Sequence, residues 1–140
     1  MTKIILIGAI LLLALIRFTL PFFRERVLDK KELDSCPINV KFGDMLDKLD
    51  ESIFNGQSTV TVYDDNPEYM QMEGPSNMNV SYTFMYTTGN LTVQIIFNNG
   101  DGQKLINKQY NSLRNVDHGM QERLASLIVA DTMLAHSQLS

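Results

Sequence analysis

The residues able to do chemistry in this chain are few, and their spacing keeps them apart. Nucleophilic catalysis needs a Ser or Cys beside a base, usually His. The two histidines, His118 and His136, fall eighteen positions apart on one predicted helix, five turns from each other, so they cannot share a site. His136 lies near the end of that helix, where a partial positive charge is favoured. Cys36 is the single cysteine, which excludes an internal disulfide. It stands shortly after an apolar segment, where an interchain disulfide forms if that side is oxidising; an unpaired thiol is the plainer reading.

Asp64, Asp65 and Glu68 are the best candidates for acid–base work or a hard cation. They surround Asn66-Pro67, a turn in which Asp and Asn are common for backbone reasons alone. Asn98-Asn99-Gly100-Asp101-Gly102 lacks the alternating acids and terminal Glu of a calcium loop and reads as a hairpin turn. No glycine-rich phosphate loop occurs. The expectation is therefore a protein that is not an enzyme, with no catalytic residues, cofactor or metal.

What must position any functional surface is dominated by the first stretch. Residues 4–16 are an unbroken apolar run, interrupted by Arg17 and resumed by Phe18-Thr19-Leu20-Pro21-Phe22-Phe23. Twenty helical residues from Ile4 through Leu12, Ile16 and Arg17 to Phe22 and Phe23 reach about 30 Å, the thickness of a bilayer core. Arg17 is placed to snorkel to the interface, and Pro21 to kink the last turn. A cleaved leader would need a small-x-small site after the run, and the residues there are bulky and charged. The expectation is an uncleaved, single-pass anchor in contact with membrane lipid. Arg24, Arg26, Lys30 and Lys31 beyond it favour a cytoplasmic domain, whereas a short N-tail with one Lys suits the reverse, so the side stays open. Two sequons, at Asn79 and Asn90, matter only in a eukaryotic secretory lumen.

The 140 residues suffice for this anchor (1–23), a charged connector (24–39) and one small domain (40–140). Setting Lys3 and Arg17 aside, 10 basic side chains remain against 16 acidic ones. Between Lys48 and Lys104 there is no Lys or Arg, while Glu51, Asp64, Asp65, Glu68, Glu73 and Asp101 fall there. A domain without a basic stripe cannot neutralise the row of phosphates along a nucleic acid, so nucleic acid is not expected as a partner.

Phe42, Met45, Leu46, Leu49 and Ile53 recur at three- and four-residue steps and predict a helix over 40–54, closed by Asn55-Gly56. Strand-like stretches follow at 59–63 and 69–72. The clearest alternation in the chain covers 78–87 and 91–98, a hairpin turning at Gly89-Asn90, and a last strand lies near 103–110. Asp117 is the expected N-cap of a helix running to about residue 136. The predicted fold is α+β: an N-terminal transmembrane helix, then an antiparallel β-meander packed by two amphipathic helices.

Asp44, Asp47 and Glu51 share the helix face opposite the apolar stripe. With Glu68 and Glu73 they form the candidate surface for a basic protein partner, although a solvated helix face carries the same residues. The leading functional expectation is a membrane-tethered structural module that holds a protein assembly at a bilayer, bound to a larger scaffold or to its own copies. A minor component of a membrane-containing virus particle or an accessory subunit of an envelope complex would fit. A membrane-anchored inhibitor or immunity protein using the acidic surface is the alternative, and a small membrane enzyme using Asp64, Asp65 and Glu68 is the third.

Overall fold

A computed structural model describes residues 2–139. Helix α1 (Thr2–Ser35) is continuous over 34 residues, about 51 Å at 1.5 Å per residue. Pro21 lies inside it and removes one backbone donor. The Thr19 hydroxyl donates to the Leu15 carbonyl at 2.9 Å in the same stretch. The apolar part is long and hydrophobic enough to cross a membrane, and none of it is buried in the fold.

The charged connector is helical almost throughout and ends just before Pro37. It continues α1 through Ser35, buries Asp29 and Leu33 against the domain, and Ile38 just beyond joins the core. Where one helix was expected over 40–54 there are two, α2 (Ile38–Lys41) and α3 (Gly43–Ile53), parted at Phe42. A side chain from the last helix explains the break. Gln121 is buried, accepts from the Met45 N–H at 3.1 Å and donates to the Lys41 carbonyl at 2.9 Å, supplying partners that a continuous helix would have made itself.

Five strands follow: β1 (Thr59–Tyr63), β2 (Asn66–Glu73), β3 (Val80–Thr87), β4 (Asn90–Asn99) and β5 (Gly102–Tyr110). They form one antiparallel meander in chain order. Strand β2 starts three residues before its predicted onset, at Asn66-Pro67. Only residues 69–73 pair with β3, so Pro67 breaks no bond on that side. The β3–β4 turn is built on Thr88 (φ 55°) and Gly89 (φ 73°), one residue earlier than expected, both left-handed as a two-residue hairpin requires.

Alternation sorts the sheet into two faces. Met70, Met72, Tyr82, Phe84, Tyr86, Leu91, Val93, Ile95 and Phe97 are buried on the inner one, beneath α2, α3 and α4 (His118–Leu139). Phe42 stacks edge-on to Tyr86, Phe54 to Tyr82, and the Tyr82 hydroxyl meets Thr132 of α4 at 2.7 Å. Burial pushes the Tyr82 phenol up to about 12. Asp117 caps α4 as expected, accepting from the Met120 N–H at 2.8 Å. The fold is the α+β arrangement of an N-terminal apolar helix, an antiparallel sheet and packing helices.

Candidate docking surfaces and the junction that orients them

Three acids on one face of α1, Glu25, Asp29 and Glu32, meet the domain at the end of the sheet that carries the β3–β4 turn. Asp29 is fully buried. It accepts from two consecutive backbone donors of that turn, the N–H of Thr88 at 2.6 Å and of Gly89 at 3.2 Å. A β-branched residue at positive φ is strained by roughly 1–2 kcal/mol, and the carboxylate holds it there. Arg114, in the segment between β5 and α4, completes the group. Its guanidinium donates to Asp29 at 2.9 Å, to Glu32 at 3.0 Å and to Glu25. Lys41 of α2 pairs with Glu32 and donates to the Arg114 carbonyl at 2.7 Å. The Tyr86 hydroxyl donates to Glu32 at 2.8 Å.

Burial lowers the proton affinity of Arg114, but its bonds to Glu25 and Asp29 outweigh that, and its pKa rises. Burial and the bond to Glu32 push the Tyr86 phenol up as well. Every charged group here has a partner from another element, so the arrangement fixes geometry; none is held free beside a reacting position. Nothing local in the sequence announces it, because Arg114 lies 82 to 89 residues from the acids it holds.

The predicted acidic surface divides. Asp44, Asp47 and Glu51 do line one depression, together with Lys48, Ser52, His118 and Glu122. Glu68 and Glu73 lie elsewhere. Glu68 faces Arg26 of α1 at 3.5 Å and lines a groove with Phe22, Phe23 and Asp65. Glu73 pairs with Thr59 and Ser81 on the outer face of the sheet. His118, missed as a partner of this patch by sequence reasoning, bridges α3 and α4: Nδ1 to Asp44 at 2.9 Å and Nε2 to Glu122 at 3.3 Å. The Asp44 bond, and then the charges of Asp44 and Glu122, raise its pKa.

Asp64 and Asp65 are exposed in the β1–β2 turn, and Glu68 is engaged by Arg26, so the three carboxylates are not assembled around a common point. Among the described residues no group of three or more His, Cys, Asp or Glu side chains is placed to hold a metal ion. His118 and His136 sit at opposite ends of α4, the latter beside the Phe97 ring. Cys36 is half-buried, its thiol free of any disulfide, between α1 and α2.

The outer face of the sheet is a second open surface. Gln71, Thr83, Gln94 and Asn107 stand in register across four strands. Its residues on β3 and β4, from Ser81 to Asn98, are uncharged and none is buried. No known protein family, curated protein or solved structure matches this chain.

Proposed function

We propose that this chain is a single-pass membrane-anchored interaction protein, which holds a protein assembly at a bilayer and does no chemistry of its own. The apolar part of α1 supplies the anchor, with Ile4, Leu12 and Ile16 facing lipid and Phe22 and Phe23 at the headgroup boundary, where the β1–β2 turn meets them. The observation that carries the reading is the junction at Asp29. A domain that needed only to be near a membrane would be served by a flexible linker. Here the apolar helix runs unbroken into a segment gripped by Arg114, Lys41, Tyr86 and the β3–β4 turn, which sets the domain at one angle to the helix.

The uncharged outer sheet face is then presented in a constant direction, as a subunit in a larger scaffold requires. A place in a membrane-containing virus particle or an envelope complex fits this reading. Alkaline extraction of native membranes followed by crosslinking tests it. The chain is expected to stay in the membrane pellet and to crosslink, in fixed proportion, to a larger protein through residues such as Thr83 and Gln94. Release into the aqueous extract contradicts the anchor, and retention without a crosslinked partner contradicts the scaffold role.

The acidic depression at Asp44, Asp47 and Glu51 favours a second reading, an anchored inhibitor that meets a basic partner. Its mark is one tight soluble partner whose affinity falls steeply with added salt.

A further inference from the structure

Arg17 is the one ionisable residue inside the apolar stretch, and an arginine in a membrane span is costly unless something answers its charge. Among the described residues no carboxylate pairs with Arg17 or with Arg24. The two stand seven residues apart, two turns and about 10 Å along the axis, on nearly the same side of the helix. They flank one open, shallow groove on the surface of α1 itself, formed with Leu13, Ile16, Leu20 and Pro21.

Side chains of a helix lean towards its N-terminus. Arg26 shows the lean here, its guanidinium lying 5.9 Å from the Phe22 ring centre one turn back. Arg24, one residue beyond the apolar stretch, therefore reaches back along α1 towards Arg17, whose long flexible side chain snorkels the opposite way, out to the interface. The acids that follow it do not compensate this face, because Glu25, Asp29 and Glu32 are turned to Arg114 and Lys41. A connector with mixed charge in sequence is thus sorted by the fold, Glu25, Asp29 and Glu32 towards the domain and Arg24 outward.

Resting on the membrane reading above, we propose that Arg17 and Arg24 together hold the phosphate of an anionic phospholipid, with an acyl chain lying along Leu13, Ile16 and Leu20. Guanidinium groups match phosphate oxygens in pairs, and the apolar walls match the chain. A free anion would gain nothing from those walls.

The test uses the full chain in bilayer nanodiscs of phosphatidylcholine and phosphatidylglycerol at a 7:3 ratio, with native mass spectrometry of the lipids retained on the protein. The ratio of phosphatidylglycerol to phosphatidylcholine among the retained lipids is expected to be about fivefold above that of the bulk bilayer. R17Q/R24Q should return the ratio to bulk, while K30Q/K31Q, outside the groove, should leave the enrichment in place. Equal lipid shares on the parent protein, or equal losses in both double variants, overturn the site. Retention of an acidic partner helix at the groove in native membranes, in place of lipid, overturns it too. Protease protection of residues 4–23 is read in the same samples. A chain that never inserts overturns the membrane reading and the site together, whereas a chain that inserts without lipid preference overturns the site alone.

Discussion

Two charged regions of this molecule, built from similar residues, have opposite characters. At the junction, Glu25, Asp29 and Glu32 converge with Arg114, Lys41 and Tyr86, and the central carboxylate is fully buried. At the depression between α3 and α4, Asp44, Asp47, Glu51 and Glu122 face water with Lys48 and a solvent-exposed His118. In the first region each charge is answered by another element, so removing Arg114 leaves Asp29 buried without its cation. In the second, water answers most of them. The difference teaches that charge count says little about energetic weight; convergence and burial decide it.

The sharpest way to break the comparison is Arg114→Ala. Asp29 would stay buried without its cation, and the expected loss is about 3–5 kcal/mol, read by denaturant unfolding of the full chain in mild detergent. Asp29→Asn keeps the shape but weakens the acceptors for Thr88, Gly89 and Arg114, with an expected loss of about 1–3 kcal/mol. Combined, the two substitutions should cost clearly less than their sum, since they remove the same interaction. Additive losses would mean that the two residues do not act together. Tyr86→Phe removes one hydroxyl donor from Glu32 and should cost about 1 kcal/mol.

The depression should respond to pH through His118. His118 has a raised pKa in the fold, so its contribution is fully present below the unfolded value of 6.5 and fades as pH rises through the folded value. Unfolding midpoints measured upward from pH 6.5 should therefore drop slightly, and His118→Gln or Asp44→Asn should remove the drop. A slope that survives both changes would place its origin elsewhere. Smallest of all, Asp47→Asn and Glu51→Gln should each shift stability by less than about 0.5 kcal/mol. A loss near 2 kcal/mol from either would erase the contrast.

The parts of the fold governed by local pattern were legible. Strict alternation from Val80 to Thr87 and from Leu91 to Phe97 marks a half-buried hairpin, and Asp117 caps α4 as its position suggests. What escaped was set by distant residues. The end of the hairpin was misplaced by one residue because Thr88, a poor left-handed residue, is held there by Asp29 from 59 positions away. The split between α2 and α3 depends on Gln121, 76 residues beyond Met45. The junction itself was hidden because Arg24, Glu25, Arg26, Asp29, Lys30, Lys31 and Glu32 read as a solvated mixture; only the return of Arg114 shows which of them face inward. The acidic surface was half legible. Helical spacing unites Asp44, Asp47 and Glu51, but no local rule shows that Glu73 lies on the far side of the sheet.

The claim on which the rest depends is that α1 and the sheet domain move as one body. Double electron–electron resonance between spin labels at Lys31→Cys and Lys104→Cys, in a Cys36→Ser background in bilayer nanodiscs, measures this directly. A single narrow distance distribution that broadens on adding Arg114→Ala is the predicted result. A distribution already broad in the parent protein would contradict a fixed mount.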